Sequence, residues 1–364
     1  MVRFLPEVAK DIVLNSNTLR PLARTYMRAV LDLNYYKIKS RVDLHTLERL
    51  PPLGLDLNVV DFCNSNCVFC AYHLTRPRGI VMSIRIYEKA VREFARMGGG
   101  SVSHNGLVGD PLLDPTLFDK LRISSSYPEV CSRVLFTNGI LLSQDKNVEK
   151  ILESGISKLF ISVSDFEETS YKRIFRVDKY HEVLEGIRLL ITRSNEMKNS
   201  IEVFLNVRTN KNSREVLSSD DYKRIIAPLF DRDHIAISRW FDSWCGQIQE
   251  ENLLNNMYMK PDPHIRSLPC ERTFYLGILP DGYVRACPCR FGRKGTHDEL
   301  IVGNIAENSL EQIWAGRKMR EIRESFLENE LPEVCGNCND YTYPSLKQYT
   351  LKKTLIGMNN ERPS

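Results

Sequence analysis

Cys63, Cys67 and Cys70 lie within eight residues, in the order Cys63-Asn-Ser-Asn-Cys67-Val-Phe-Cys70. Three thiols this close are odd in number and too crowded for a disulfide framework. They can wrap one face of a cubane iron–sulfur cluster, and with four irons to serve they leave one iron open. An open iron can bind a substrate or cofactor directly, so the triplet points to chemistry more than to electron storage. The other readings are a zinc site or three buried structural cysteines. Structural zinc takes four ligands, and the further candidate nearby is His73, three residues past Cys70.

A second set of cysteines lies far downstream. Cys270 and Cys287 form a C-x11-G-x4-C pattern around Gly282, and Cys335-Gly-Asn-Cys338 adds a C-x2-C pair. Four thiols can ligate every iron of a second cluster or hold one zinc. Gly282 permits a tight hairpin that folds the first two sulfurs together. Cys289 is two residues past Cys287 and could take its place. Cys131 sits in an apolar, strand-like run and reads as a core residue.

These residues need a scaffold. Residues 1–52 read as a helical extension with an arginine stripe at Arg20, Arg24 and Arg28, best explained as a solvated helix face. From residue 53 to about 250, strand-like runs (53–60, 101–108, 130–137, 158–164, 201–208, 234–240) alternate with helix-like ones (83–97, 147–154, 180–193, 220–230). Ser83 is the expected cap of the first helix and Gly98-Gly99-Gly100 its stop. Six such units predict a parallel sheet with helices outside, a partial (β/α)6 barrel, whose ligands bind at the carboxyl ends of the strands. The triplet directly follows the first strand. Residues 262–345 hold turns, short strands, cysteines and one helix-like run, Ser309–Phe326. They predict a small cysteine-rich α+β domain, followed by a basic tail, 346–364.

C-x3-C-x-aromatic-C after a strand resembles the signature of the radical S-adenosylmethionine (SAM) enzymes, whose fold is also a partial (β/α)6 barrel. The resemblance implies that Cys63, Cys67 and Cys70 hold a [4Fe-4S] cluster whose open iron chelates SAM. One electron then cleaves SAM to methionine and a 5'-deoxyadenosyl radical. Phe69 matches the aromatic position beside the adenine. Gly109-Asp110-Pro111 resembles the motif that holds the SAM amino group, with Val108 and Asp110 standing where the family has Gly and Glu. Thr137-Asn138-Gly139 ends the third strand as in many members. Ile161-Ser162-Val163-Ser164-Asp165 resembles the serine segment that reaches the SAM ribose or carboxylate, and Arg173 or Arg176 is implied as a carboxylate partner. The distal cysteines resemble the SPASM/twitch extension and imply one auxiliary [4Fe-4S] cluster on Cys270, Cys287, Cys335 and Cys338. An external electron donor such as flavodoxin or ferredoxin is implied as well.

Composition excludes several classes. The 364 residues carry 50 basic and 46 acidic side chains, a net +4 that gives no case for nucleic acid. No apolar run approaches the roughly 18 residues of a membrane span, and the first residues lack a signal-peptide layout. A cytoplasmic protein with reduced thiols is expected. Arg239–Gly246 follows the sixth strand and should face the barrel mouth. It offers Asp242 as a base and Cys245 as a hydrogen donor to a carbon radical, unless Trp240, Trp244 and Cys245 simply pack the barrel end. The expected substrate is a sugar, aminocyclitol or related small molecule, oxidised with help from the auxiliary cluster. A maturase or epimerase of a ribosomally made peptide is the alternative, and a non-catalytic iron–sulfur or zinc scaffold is the alternative of another class.

Overall fold

The computed structural model describes residues 19–39, 50–104, 107–144, 146–263 and 265–344. Helix α1 (Leu19–Lys39) comes first. The side chains of Arg20, Arg24 and Arg28 and the tail 346–364 lie outside the described part.

Each of the six expected strand runs contains a strand. These are β1 (Gly54–Leu57), β2 (Ser101–His104), β3 (Ser132–Thr137), β4 (Lys158–Val163), β5 (Glu202–Arg208) and β6 (Ile235–Ser238). They pair in parallel, in sequence order. The connections carry α2 (Ile84–Arg96), α3 (Leu117–Ser125), α4 (Asn147–Glu153), α5 (Glu168–Phe175), α6 (Tyr180–Glu196) and α7 (Ser213–Ser218). Ser83 caps α2, its side chain accepting from the Ile86 amide. The run expected as a helix over 220–230 is reduced to a short π-helical turn, Tyr222–Ile226.

Period-2 patterning explains the two faces of this sheet. In β4, Leu159, Ile161 and Val163 are buried, while Phe160 and Ser162 point to the half-open interior. Phe136, Phe160 and Phe204 sit opposite one another in register and stack at 4.8 and 4.9 Å. Pairing aromatic side chains across strands fixes the register on the interior face. One layer further along the same face come Ser162 and Asn206, and one layer beyond them Arg208.

The cysteine-rich region does not build a sheet of its own. Its strand β9 (Tyr275–Ile278) pairs in parallel with β1, Leu276 opposite Leu55, and β10 (Tyr283–Arg285) and β11 (Ile301–Asn304) continue antiparallel to a total of nine strands. Two short strands, β7 (Trp240–Phe241) and β8 (Tyr258–Met259), pair separately. The run expected as one helix over Ser309–Phe326 is two, α8 (Leu310–Trp314) and α9 (Arg317–Glu328), broken at Ala315-Gly316, and α10 (Glu333–Gly336) follows. Cys131 is exposed, because it precedes β3 and lies outside the ladder.

His104 ends β2 fully buried, between the Tyr87 hydroxyl at 2.5 Å and the Val134 carbonyl at 3.1 Å. Burial lowers its pKa from 6.5 to about 4. The unfolded chain therefore takes up a proton below pH 6.5 that the folded chain refuses down to about pH 4. Stability is full above pH 6.5 and falls by up to about 3 kcal/mol across that window. Replacing His104 with Gln should flatten the difference between urea midpoints at pH 7.5 and pH 5, relative to wild type.

Candidate active site

The loop after β1 carries the triplet, and three elements hold it. The end of α5 supports its backbone: Asn66 and Val68 donate to the Phe175 and Ile174 carbonyls at 3.1 and 2.9 Å. Ser65 donates to the Phe175 carbonyl at 3.0 Å and lies 3.2 Å from the Cys67 sulfur. From the end of β3, Asn138 donates to the Asn64 side chain at 2.7 Å and reaches the Cys63 sulfur at 3.6 Å. The Phe69 ring stacks on Phe241 at 5.1 Å, and its carbonyl accepts from the Trp244 indole at 2.9 Å.

Cys63, Cys67, Phe69 and Cys70 line one cavity of about 460 Å³ at the carboxyl ends of the strands. Burial pushes the Cys63 thiol up to about 12, helped by the Asp110 charge, and the Cys70 thiol to about 11. Burial likewise pushes the Cys67 thiol well above its usual range. Such thiols ionise only when a strong positive centre arrives. A ring of soft sulfurs on a cavity wall, without such a centre of its own, is a donor set for iron. Among the described residues no three His, Cys, Asp or Glu close around a single metal ion. Three sulfurs on one wall with an open side fit a multi-iron group that keeps one iron free.

Several expected SAM contacts take other positions. Leu107, Val108 and Gly109 line the cavity, but Asp110 does not. Its carboxylate is buried and accepts from the Thr137 hydroxyl at 2.9 Å and the Asn138 and Leu112 amides at 2.7 and 3.0 Å. Asp110 thus locks the ends of β2 and β3 together, and Pro111 opens a short 3-10 turn behind it. Gly109 is needed for close approach, since a Cβ there would meet the Val60 carbonyl at 2.7 Å. Ser162 lines the cavity, whereas Ser164 is buried against the Asp165 carbonyl at 2.8 Å. Arg173 and Arg176 are exposed and absent from the lining, because α5 turns that face outward. The cations that do line the cavity are Arg208, Lys260, Arg272 and Arg290. Arg208 was detectable in principle, four residues beyond Phe204 and two beyond Asn206 on the interior face of β5.

Cys270, Cys287, Cys335 and Cys338 share a second, narrow cavity with Cys245 and Cys289. Cys245 was expected at the barrel mouth. Instead it is buried in the second cavity beside Cys338, and that contact pulls the Cys338 thiol below its usual range and pushes the Cys245 thiol above. The turn that carries it is strained. Trp244, Cys245 and Gly246 all have left-handed backbone, at φ 46°, 56° and 79°. Cys289 is the thiol that lines both cavities.

The wall between the cavities is built on Arg290. Its guanidinium donates to both oxygens of Asp242 at 2.6 and 2.7 Å, lies 3.1 Å from Asp340 and covers the Trp244 ring at 4.5 Å. Asp242 therefore lines the cavity with both oxygens already engaged, and a base role there would require breaking that pair. Behind the wall, the buried Arg285 pairs with Asp298 at 2.7 Å and donates to the Cys287 and Arg290 carbonyls at 3.2 and 2.8 Å. Asp298 in turn accepts from the Gly292 amide at 2.9 Å. This pair shapes the Cys287–Cys289 loop. Removing one member of a buried pair costs about 3–5 kcal/mol. Arg285→Leu should therefore lower iron after reconstitution from about eight to about four per chain, by metal analysis, while the triplet keeps its share.

Comparison with known proteins agrees with this geometry. Residues 57–207 match the Radical SAM superfamily, and residues 270–339 match an iron–sulfur cluster-binding domain, SPASM. A GTP 3',8-cyclase of Chlorobaculum tepidum is 26% identical over 141 residues, which span 38% of this chain and 42% of that relative. BtrN, crystallised with AdoMet and 2-DOIA, superposes with a TM-score of 0.54 at 16% identity, over 82% of this chain and 96% of that one. SuiB of Streptococcus suis, bound to the precursor peptide SuiA, gives 0.53 at 14%, over 79% and 68%. At these identities the structures show a shared fold. Residues 57–207 thus carry a radical SAM domain and residues 270–339 a SPASM-type iron–sulfur domain, and the cofactors these domains imply are SAM, the [4Fe-4S] cluster that binds it, and an auxiliary iron–sulfur cluster.

Proposed function

We propose that this enzyme abstracts a hydrogen atom from a polar small molecule of the sugar or aminocyclitol type and completes a two-electron oxidation. The observation that carries this reading is the shared wall. Arg272, Cys289, Arg290 and Asp340 each line both the triplet cavity and the auxiliary cavity. A substrate in the first cavity would lie one side chain away from the second.

When bound, SAM and its cluster supply the 5'-deoxyadenosyl radical, and the auxiliary cluster accepts the electron that an oxidised substrate must lose. Cys63, Cys67 and Cys70 would hold the first cluster, with Asn138 and Ser65 steadying two of the sulfurs. Arg208 would take the part expected of Arg173 or Arg176 toward the SAM carboxylate, and Ser162 could donate to SAM from the same cavity wall. The Leu107–Gly109 backbone would hold the SAM amino group, and Phe69, fixed by Phe241 and Trp244, would lie beside the adenine. Cys270, Cys287, Cys335 and Cys338 would hold the second cluster. Asp242 and Asp340 keep Arg290 in the wall, and the wall excludes water from the space between.

A second reading rests on Cys289. It faces the triplet cavity, where Cys245 does not, and its thiol could return a hydrogen atom to a substrate radical from the opposite side. That reaction is an epimerisation.

Reduced, reconstituted enzyme with SAM should form 5'-deoxyadenosine, and sugars or aminocyclitols bearing a C–D bond should pass deuterium into it. Deuterium transfer from peptides alone would overturn the small-molecule reading. Arg208→Leu should raise the SAM dissociation constant about tenfold or more, the scale of one charged hydrogen bond. Cys289→Ala should leave an oxidation intact and abolish an epimerisation, as read from product mass and stereochemistry.

A further inference from the structure

Six thiols line the auxiliary cavity, and one cubane cluster takes four. Cys289 also lines the triplet cavity. Cys245 has no part in either set of ligands or in the shared wall. It is buried, and it also lines an outer cavity of about 360 Å³ with Gly246, Gln249 and Asn337. The fold holds it in that place. The Ser243 amide donates to the Asn339 side chain at 2.7 Å, and the Ser243 hydroxyl donates to the Asn337 carbonyl at 3.4 Å. Asn337 and Asn339 flank Cys338 on either side. The Gly246 amide donates to the same hydroxyl at 3.1 Å, and the Ile248 amide to the Ser243 carbonyl at 2.9 Å. The left-handed turn Trp244–Gly246 is thereby pinned over the C-x2-C pair, with the Cys245 thiol against the Cys338 sulfur. Backbone strain of this kind persists only where the surroundings over-determine it.

A cysteine that ligates iron does so as its thiolate and carries no proton. Between Cys245 and a ligating Cys338 the shared proton therefore belongs to Cys245, whose thiol donates. In a buried, low-dielectric setting such a bond is stronger than in water. Hydrogen bonds to the sulfurs are one of the levers on a cluster's reduction potential. The positive end of the S–H dipole favours the form with one more electron, so the lever acts upward. We propose that Cys245 remains a thiol and donates a hydrogen bond to the Cys338 sulfur, raising the reduction potential of the auxiliary cluster. Cys245 is a positioning residue that acts through Cys338, neither an iron ligand nor a hydrogen donor to substrate. A raised potential suits a group that must accept an electron from an oxidised substrate. The inference rests on Cys338 as an auxiliary ligand, which is part of the proposed function.

Cys245→Ala and Cys245→Ser test this after reconstitution. Both should keep the wild-type iron content of about eight per chain. The potentials of the two clusters are then measured by redox titration with electron paramagnetic resonance, without substrate. In Cys245→Ala the auxiliary potential should shift to more negative values, and Cys245→Ser, which keeps a donor, should restore most of it. The potential of the SAM-sensitive signal should not move in either variant. In the wild type, electron–nuclear double resonance after exchange into D2O should show an exchangeable proton coupled to the auxiliary signal, and Cys245→Ala should lack it. An unshifted auxiliary potential in Cys245→Ala, or no exchangeable proton in the wild type, would overturn the proposal. Loss of about four irons in Cys245→Ala would overturn it too, by making Cys245 a ligand. Cys338→Ala checks the underlying assignment separately. It should lose about four irons, and unchanged iron there would overturn the ligand set of the proposed function, and the hydrogen bond with it.

Discussion

The Arg290 guanidinium is the point on which the rest of the site depends. It is held by two carboxylates from distant parts of the chain, Asp242 after β6 and Asp340 after the C-x2-C pair, and by the face of Trp244. Charges so placed in a partly buried setting are stable only as a set. Removing any one would leave a charge without a partner in low dielectric. The set joins the end of the barrel, the hairpin loop at Cys287–Cys289 and the segment after Cys338. It also sets the boundary between two groups of thiols, so that each lines its own cavity while sharing one layer of side chains.

The sheet makes that boundary possible. Parallel pairing of β9 with β1 fixes the auxiliary region to the strand that launches the triplet loop. Gly277, at the center of β9, lets the Cys287-Pro288-Cys289 turn approach closely. A Cβ there would meet the Pro288 Cα at 2.8 Å. The Trp244 indole closes the arrangement from the other side by bonding the Phe69 carbonyl. The left-handed turn at Trp244–Gly246 is therefore a bracket between barrel and auxiliary region, and its strain is offset by these contacts.

Much of this was legible in the sequence. The triplet and the distal cysteines could be read because their spacing is local, and the six strands because their periodicity is strong. Roles that depend on orientation were harder. Asp110 reads as a ligand-facing acid, yet Thr137 and Asn138 satisfy it from the neighboring strand. Cys245 and Cys289 are each an unassigned thiol near a motif, and only the tertiary fold decides which one faces the triplet cavity. Arg173 and Arg176 sit in the expected segment, but helix phase turns them outward. Arg208 carries no motif, and its position follows from strand alternation together with the phenylalanine ladder. The break at Ala315-Gly316 was visible as a glycine in a helical run, where apolar periodicity outweighed it.

Two thiol sets on either side of one wall should give two clusters that differ in one respect: SAM reaches only the first. Electron paramagnetic resonance of the reduced, reconstituted protein, with and without SAM, measures this directly. Two signals are expected, of which one shifts on adding SAM. That one should vanish when Cys63, Cys67 and Cys70 are replaced by Ala, leaving the other unaltered. A SAM-sensitive signal that survives loss of the triplet, or two signals that both ignore SAM, would contradict the division of the site proposed for this chain.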